Sequence, residues 1–434
     1  MSLRWHSNPE SANDSTRPPR DGPRPAGVVP SGRVQAYPVD LAAFQELHSP
    51  RGRRLLAEAT SLGVETDTLF ATATTLRRTH PPELVAAALT QVRLRATART
   101  RFGPDADRMF FTPEGLQQAT RPVVAAHRAA RYAAAGTGEV LDLGCGVGGD
   151  LVALARSGMA VHGVDRDPLT VEVARANARA LGLVDRVRVD HGDAREVDLT
   201  GVTAAFCDPA RRSGGRRVFN PAEYSPPFDF LLGLARSVPR CGAKVAPGIP
   251  HHLIPRGAEA EWVSVAGEVK EAALWWGELA TVRRRATLLP SGATLVASDR
   301  SDSGESDPPP VARPGRWLYE PDGAVIRAHL VAELAASVGG WLLDPSIAYL
   351  CTDTPVHTPF ARGYQITDVL PFSLKRLRAL LRSRGVGAVT VKKRGSAVDP
   401  DTLRHGLRLT GDEHATVVLT RAAGAPTVLL CTPA

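Results

Sequence analysis

The sequence predicts an α/β protein, with a Rossmann-like, mainly parallel sheet that follows a helical module and precedes a small α/β domain. Three observations lead to this prediction. From about residue 138, apolar runs of strand length alternate with amphipathic runs of helix length. A glycine-rich turn, Gly144 to Gly149, directly follows the first of these strands. Beyond residue 361, a second series of strands and helices follows a proline-rich stretch.

The length and composition are those of an ordinary globular protein. The chain has 434 residues, 43% hydrophobic and 23% charged, which is enough for two or three domains. It contains no run of 18 apolar residues and no apolar leader, so we expect neither a membrane span nor a secretory signal. Its five cysteines are scattered without a CxxC pair, which argues against a disulfide framework or a metal site and predicts a cytoplasmic protein.

The positive charge is concentrated in the C-terminal part of the chain. The net charge is +8, from 53 Lys and Arg against 45 Asp and Glu. Eight of these cations and no acid lie between Phe372 and Arg394, so the rest of the chain is electrically balanced. A local basic face is what binding to a phosphate backbone requires, although a solvated surface helix has the same composition.

The first 137 residues divide into a tail and a helical region. Residues 1–36 are rich in Pro, Arg, Ser and Gly, which predicts a disordered tail. Residues 37–137 have helical periodicity, with helix starts at Pro82 and at Thr112-Pro113. They are expected to form either a separate helical module or a set of helices packed on the next domain.

Residues 138–298 are predicted to form the sheet. Strands are expected at residues 140–143, 159–165, 187–193, 204–208 and 243–247, with helices at 151–156 and 169–181. Three later strands, at 261–265, 271–276 and 285–289, have no helices between them, so we expect antiparallel strands to complete the sheet.

The last third of the chain is predicted to contain a linker and a second domain. Residues 299–315, rich in Ser, Asp and Pro, have the composition of a linker. Residues 316–361 are predicted to be a connecting helical segment, with a helix at 324–337. Residues 362–434 are predicted to form a small α/β domain, with helices at 374–383 and 399–407 and strands at 388–392, 415–419 and 427–430.

The glycine turn indicates a cofactor that contains a nucleoside. Gly144, Gly146 and Gly149 satisfy the Gly-x-Gly-x-x-Gly pattern, and Asp165 follows Gly146 by 19 residues, where an acid can bind ribose hydroxyls. This spacing alone fits NAD as well as S-adenosylmethionine.

Three further acids favour S-adenosylmethionine over NAD. Asp142 lies inside the first strand, where it can meet an ammonium group directly or through water, and methionine has an ammonium where NAD has pyrophosphate. Asp193 ends the third strand, in a position to meet an adenine amino group. Asp208 ends the fourth strand, at the edge of the sheet where ligands bind. A single Asp at the end of a strand is often the N-cap of the following helix. Four acids at or near the ends of successive strands, however, fit a cofactor with a cationic sulfonium better than they fit four separate caps.

Eight short motifs carry a resemblance to a known family. They lie at residues 140–148, 163–165, 192–194, 208–209, 108–121, 207–212, 246–250 and 393–395. The first four resemble the motifs of class I S-adenosylmethionine-dependent methyltransferases. The other four resemble motifs of a bacterial group of these enzymes that has a C-terminal THUMP-like domain, which would correspond to residues 362–434. The resemblance implies S-adenosylmethionine as cofactor, bound by Asp142, Gly144, Gly146, Gly148, Asp165 and Asp193. Since THUMP domains occur in tRNA-modifying enzymes, it also implies RNA as a partner.

Asp208 and Pro209 are the predicted catalytic residues. The run Asp208-Pro-Ala-Arg211 resembles the Asp/Asn-Pro-Pro-aromatic motif of amino methyltransferases, in which the acidic or amide oxygen accepts a hydrogen bond from an exocyclic amino group. Here Ala and Arg replace the second proline and the aromatic residue, so base stacking would have to come from elsewhere, for instance from Phe219, Tyr224 or Phe228.

Two basic groups are the predicted RNA contacts. Four arginines lie in a glycine-containing loop just after Asp208, and four further cations lie in the C-terminal domain. These residues are Arg211, Arg212, Arg216, Arg217, Lys375, Arg376, Lys392 and Lys393. The alternative is a solvated loop with ion pairs.

Other residues are weighed against simpler roles. Cys207 could be the nucleophile of a pyrimidine C5 methyltransferase, but it should point away from the side chain of Asp208 and is expected to pack in the core, like Cys145. His251-His252 has no neighbouring acid or cysteine cluster, so we expect no metal site. Trp275-Trp276 is expected in core and edge packing.

Three other functions remain open from the sequence. A small-molecule methyltransferase would need no RNA. A non-catalytic RNA-binding protein could retain the cofactor fold, as the altered motif after Asp208 allows. An NAD-dependent oxidoreductase is disfavoured by Asp142 and by the Asp208-Pro209 strand end.

Overall fold

The computed structural model describes residues 40–63, 69–210, 212–213, 216–217, 220–297 and 308–433. The predicted disordered tail lies outside the described residues, as does most of the predicted linker. Within the described ranges, no helix is both long and apolar enough to cross a membrane.

Six α-helices precede the first strand within the described residues from 40 onward. They are α1 (Leu41–Glu46), α2 (Pro50–Leu62), α3 (Leu69–Leu76), α4 (Pro82–Phe102), α5 (Pro113–Gln118) and α6 (Pro122–Ala134), with a short 3₁₀ helix at Gly103–Asp107. The helix starts at Pro82 and Pro113 are as predicted, and the Thr112 hydroxyl caps α5 by accepting from the Gly115 N–H at 2.9 Å. The helices share a hydrophobic core with Val147 and Val173 of the next region. They therefore pack on the sheet domain, as the second of the two interpretations expected.

The central sheet and its helices follow the predicted order. The elements are β1 (Glu139–Leu143), α7 (Gly149–Arg156), β2 (Ala160–Asp165), α8 (Pro168–Ala180), β3 (Val187–His191), β4 (Ala204–Cys207), β5 (Arg212–Ser213), β6 (Arg216–Arg217), α9 (Phe228–Ser237), β7 (Arg240–Val245), β8 (Glu259–Val265), β9 (Glu268–Gly277), β10 (Arg284–Leu289) and β11 (Ala293–Val296). Nine of these strands belong to one sheet. The other two, β5 and β6, form a separate two-stranded ribbon.

The strand order places the ligand-binding edge of this sheet. The order is β11-β10-β8-β9-β7-β4-β1-β2-β3, and the strands β3, β2, β1, β4 and β7 are parallel. β9 runs antiparallel between β7 and β8, which confirms that antiparallel pairing completes the sheet. From β1 the chain continues first toward β3 and later, through β4, toward β7, so the crevice lies at the carboxyl ends of β1 and β4.

The C-terminal third forms a second sheet. Its elements are β12 (Trp317–Pro321), α10 (Gly323–Arg327), α11 (Val331–Val338), β13 (Trp341–Asp344), β14 (Ile347–Thr352), β15 (Ala361–Pro371), α12 (Leu374–Ser383), β16 (Val386–Lys393), α13 (Pro400–Leu407), β17 (Glu413–Ala422) and β18 (Ala425–Pro433). The seven strands have the order β13-β14-β12-β15-β18-β17-β16.

The prediction of a connecting helical segment at residues 316–361 was wrong. The segment contains β12, β13 and β14, which belong to the same sheet as β15. Every residue of β14 is buried, so this strand has no alternation of apolar and polar residues to distinguish it from a buried helix. The predicted helix at 324–337 is two helices, because His329 between them has φ 55°.

The second sheet is attached to the first beside the β8–β9 turn. Gly323, at the start of α10, lies so close to Val269 that a Cβ on Gly323 would be 2.7 Å from its Cγ2 atom. The Ser264 hydroxyl donates to Asp322 Oδ2 at 3.0 Å. The turn between β8 and β9 therefore connects the two sheets, and the residues that follow it border the cavity described next.

Candidate active site

A cavity of 540 Å³ lies at the carboxyl ends of the parallel strands. The glycine turn and the ends of β2, β3, β4 and β7 form one side, and the segment from α5 to the start of α6 forms the other. Gly115 of α5 packs so closely on the glycine turn that a Cβ would meet Val147 Cγ1 at 2.4 Å. The N-terminal helices are thus part of the cavity wall, and the volume is in the range of cofactor sites.

The glycine turn has the backbone that its sequence predicts. Gly144, Gly146 and Gly148 have φ angles of 78°, 56° and 87°. Gly144 and Gly146 line the cavity, and the Gly146 N–H donates to Asp165 Oδ2 at 3.0 Å. Gly148 is the N-cap of α7 and does not line the cavity. A Cβ at Gly144 would lie 2.7 Å from the Asp208 carbonyl oxygen, so this glycine allows β1 and β4 to meet at the crevice.

Asp142 lies beneath the glycine turn. It is 1% exposed, does not line the cavity itself, and its Oδ2 atom has no hydrogen-bond partner among the described residues. Burial, and then the charge of Asp208, raise the pKa of Asp142 to about 7, whereas Arg128 and Lys244 lower it. A cationic ligand above the turn would stabilise the ionised carboxylate.

Asp165 and Asp193 both border the cavity but differ in their partners. Burial raises the pKa of Asp165, whose two oxygens accept from the N–H groups of Gly146 and Asp167. Asp193 is bonded by both the backbone N–H and the guanidinium of Arg195, which hold its pKa at about 2. Asp193 is therefore ionised at any physiological pH.

Asp208 and Pro209 lie where the glycine turn meets the open cavity. The Asp208 N–H donates to the Leu143 carbonyl at 3.0 Å, which fixes the end of β4 beside β1. The carboxylate of Asp208 is half-buried, and its Oδ2 atom accepts from Lys244 Nζ at 2.7 Å. Both residues line the cavity.

Of the three aromatic residues considered for base stacking, the two that the structure describes do not line this mouth. Tyr224 is 3% exposed and packs in the core, with its hydroxyl accepting from the Ala246 N–H at 3.3 Å. Phe228 is half-buried against the same core. Phe219 lies outside the described residues. Tyr224, one of the examples considered, is therefore buried in the core and is not available to stack on a substrate base.

Lys244 links Asp208 to the N-terminal helices, and the sequence did not predict this role. It lies on β7, is 6% exposed, and donates to Thr120 Oγ1 at 3.4 Å as well as to Asp208. Thr120 in turn donates its hydroxyl proton to Asp150 Oδ2 at 2.8 Å. Lys244, Thr120 and Asp150 all line the cavity.

Arg128 continues this network behind the cavity. Its guanidinium, 2% exposed, pairs with Asp150 at the start of α7 and with Glu271 on β9. The guanidinium carbon lies 4.0 Å from the centroid of the Phe206 ring. A charged residue inside an otherwise apolar strand, such as Lys244 or Glu271, is the sequence feature that could have indicated this network, because buried charges require partners.

The other candidates have structural roles. Cys207 is fully buried in the core, and burial raises the pKa of its thiol, which argues against a nucleophile. Cys145 is buried against Gly163. His251 stacks on His329 and Trp262, and burial lowers its pKa to about 4. Among the described residues, no group of His, Cys, Asp and Glu is arranged to hold a metal ion.

The predicted RNA contacts that the structure describes lie in two regions, the ribbon of β5 and β6 and the C-terminal domain. Arg211 lies outside the described residues, and Arg212, Arg216 and Arg217 lie on the ribbon of β5 and β6 that follows the end of β4. In the C-terminal domain, Lys375 and Arg376 on α12 and Lys393 on β16 are exposed.

Lys392 differs from its basic neighbours. It donates to Glu320 Oε2 at 2.5 Å and lies 5.5 Å from the centroid of the Tyr364 ring. This lysine therefore already has an anionic partner within its own domain.

The fold and the cavity together define the class of protein. A mainly parallel sheet with β9 inserted antiparallel between β7 and β8, and a glycine turn facing acidic strand ends, is the architecture of a class I methyltransferase. Sequence profiles agree: a methyltransferase domain matches residues 140–208, and a THUMP domain-like profile matches residues 361–433. A domain of unknown function, DUF8688, matches residues 40–98.

Whole-chain comparisons identify the family. The chain is 41% identical over 323 residues to an uncharacterized S-adenosylmethionine-dependent methyltransferase found in two strains of Mycobacterium tuberculosis, CDC 1551 and H37Rv, and the match covers 72% of this chain and 84% of the relative. The chain belongs to the S-adenosylmethionine-dependent methyltransferases. Its fold is also that of a presumed methyltransferase from Porphyromonas gingivalis W83, with a TM-score of 0.72, 22% identity, and coverage of 88% of this chain and 98% of the other.

The residues at the cavity fit S-adenosylmethionine. The buried, unpartnered oxygen of Asp142 and the acids at the strand ends suit a ligand that carries an ammonium and a sulfonium. Gly146 has open space where a Cβ would lie, so a bulky ligand can approach its backbone.

Proposed function

We propose that this enzyme transfers the methyl group of S-adenosylmethionine to RNA, at an exocyclic amino group of a base, with Asp208 as the catalytic carboxylate. The observation that carries the proposal is the position of Asp208. It borders both the glycine turn and open cavity space, and Lys244 occupies its Oδ2 atom but not Oδ1.

The cofactor is assigned to the acids and glycines of the crevice. In this assignment, Asp165 binds the ribose hydroxyls, Asp193 faces the adenine amino group, and Asp142 acts on the methionine ammonium from beneath the turn. Gly144, Gly146 and Gly148 give the turn its shape. When bound, the cofactor supplies an electrophilic methyl group on a positively charged sulfur.

The chain's own residues would align the acceptor and take up its proton. Asp208 Oδ1 accepts a hydrogen bond from the amino group, which orients the nitrogen lone pair toward the methyl group and provides a site for the proton that leaves. Pro209 directly after it rigidifies the strand end. Positioning is the larger contribution, because a displacement at a sulfonium depends mainly on alignment.

Two features support RNA as the acceptor. The THUMP domain-like profile covers the domain that carries the exposed cations Lys375, Arg376 and Lys393. The four arginines at 211–217 directly follow the proposed catalytic residues in the chain. Cations near the mouth would bind the phosphates that flank an inserted base.

The test is transfer of a labelled methyl group from S-adenosylmethionine to two acceptor pools prepared from cells lacking the gene, namely total RNA and a small-molecule extract. Label in RNA that is lost in Asp208→Ala supports the proposal. Label only in the extract would show a small-molecule methyltransferase. Cofactor binding in calorimetry without transfer to either pool would indicate a non-catalytic RNA-binding protein.

A further inference from the structure

We propose that Lys244 contacts the methyl acceptor together with Asp208, and that the two side chains recognise an amino group beside an unprotonated ring nitrogen. This N=C–NH₂ edge occurs in adenine, cytosine and guanine and is absent from uracil. The inference rests on the proposed function, since it specifies which edge of a base enters that same site.

Lys244 has one ammonium N–H left for a ligand. An ammonium has three N–H donors, and a lysine as buried as this one, at 6% exposure, requires partners for them. Two donors are directed at Asp208 Oδ2 (2.7 Å) and Thr120 Oγ1 (3.4 Å). The third has no partner among the described residues, and Lys244 lines the cavity.

The direction of the hydrogen bonds fixes the position of this ammonium. Because Thr120 donates its only hydroxyl proton to Asp150, its oxygen is free to accept from Lys244. Asp150 is held in turn by Arg128. A donor whose supports are themselves anchored is pre-organised, so it would need little rearrangement when a substrate binds.

Asp208 and Lys244 together present an acceptor beside a donor. Asp208 Oδ1 can accept from an amino group, and the third N–H of Lys244 can donate to a neighbouring ring nitrogen. An N=C–NH₂ edge places its donor and its acceptor on adjacent positions, which matches this pair. A ribose hydroxyl could donate to Asp208 and accept from Lys244 with its single oxygen. The test must therefore distinguish methylation of a base amino group from methylation of a ribose hydroxyl.

The pair also suits the chemistry of an amino acceptor. The amino nitrogen forms its bond to the methyl carbon while the carbon–sulfur bond breaks and its electron pair stays on sulfur. One amino proton passes to Asp208 Oδ1. The methylated amino group is neutral once this proton has left, and the hydrogen bond from Lys244 to the ring nitrogen holds the edge in line with the methyl group.

The experiment uses the full-length protein, S-adenosylmethionine with an isotopically labelled methyl group, and RNA from cells lacking the gene, followed by digestion and mass spectrometry of the nucleosides. We expect the label on an amino nitrogen of adenosine, cytidine or guanosine. Lys244→Met should lower kcat about 100-fold, the order expected when a reacting group is misplaced by about 1 Å. Lys244→Arg, which keeps a charged donor, should recover about a tenth of the wild-type kcat.

Two controls separate this role from a structural one. The affinity of both variants for S-adenosylmethionine, measured by calorimetry at pH 8.5, should stay within about threefold of wild type, since the cofactor acids are unchanged. Their melting temperatures should show that both are folded. Label on a ribose oxygen or a ring carbon, or wild-type kcat in Lys244→Met, would overturn the assignment while RNA methylation stands. No label in any RNA would contradict the proposed function, and this inference with it.

Discussion

The charges around the cavity and the charges of the C-terminal domain differ in burial and in partners. Arg128 and Lys244 are 2% and 6% exposed, and each bonds at least two oxygens. Lys375 and Arg376, in contrast, are exposed on the outer face of α12. The buried charges can hold groups in position, because they act in a low-dielectric environment with fixed partners. The exposed charges can only attract an anion over a distance, and salt screens them.

This difference in burial predicts different effects for variants of the buried charges and variants of the exposed cations. Removing a buried charge should alter stability or the cofactor site, with little dependence on salt. Removing an exposed cation should alter RNA affinity and its salt dependence, with little effect on stability.

The largest effect is expected for Arg128→Met. The variant keeps an apolar stem but leaves Asp150 and Glu271 buried without their common partner, which should cost about 3–5 kcal/mol of unfolding free energy. Urea unfolding measures this loss. The matched control is Arg156→Met, which removes a 45% exposed guanidinium paired with Asp105 and should cost less than about 1 kcal/mol. Equal losses in the two variants would contradict the distinction between buried and exposed charges.

Asp142→Asn should make the cofactor-free protein more stable at high pH. The pKa of Asp142 is raised from 3.8 to about 7, so the wild type loses stability as the pH rises between these values, and an asparagine does not. The variant should gain up to about 4 kcal/mol above pH 8 and little near pH 4. It should also bind S-adenosylmethionine more weakly. Urea unfolding across this pH range measures the difference in stability between the variant and the wild type. A difference that does not change with pH would show that Asp142 does not ionise while buried.

Asp165→Ala should weaken S-adenosylmethionine binding about 100-fold, the order expected when a charged hydrogen-bonding partner is lost. The substitution also removes the acceptor of the Gly146 N–H, so the turn loses a contact that fixes its shape. Calorimetry measures the affinity. Asp198→Ala is the control, since this acid caps a turn at Thr200 outside the cavity. If the affinity of Asp165→Ala stayed within twofold of wild type, Asp165 would not be a cofactor-binding residue.

The smallest effect is expected at the exposed cations. Neutralising Lys375, Arg376 and Lys393 to Gln should weaken RNA binding about tenfold at 0.1 M salt and reduce the slope of log affinity against log salt by about 2. Lys392→Gln should instead lower the melting temperature, because Lys392 pairs with Glu320. A salt slope in the triple variant equal to that of wild type would show that RNA does not bind this face.

The acids on the cofactor side of the crevice could be predicted from the sequence for a geometric reason. Parallel strands end at one edge of a sheet, so Asp165, Asp193 and Asp208 could be expected to border one crevice before any contact was known, and all three line the cavity. Positive φ angles require glycine, which made the turn at Gly144 to Gly148 recognisable.

The acceptor side depends on contacts that local patterns do not encode. Lys244 follows Asp208 by 36 residues, and the pairing of β4 with β7 places them side by side. Thr120 precedes Lys244 by 124 residues, and the packing of α5 and α6 on the sheet brings it to the same place. The strands β12 to β14 were missed for a related reason. They are buried largely on both faces, so their residues lack the alternation that would have distinguished strand from helix.

We propose that the cofactor in the acidic crevice supplies its methyl group to an RNA base. Mass spectrometry of nucleosides from total RNA tests this proposal, using cells with the gene, cells without it, and cells that express the Asp208→Ala variant. We expect one base-methylated nucleoside to be absent without the gene, restored by the wild type, and not restored by Asp208→Ala. Identical nucleoside profiles in all three would contradict the claim.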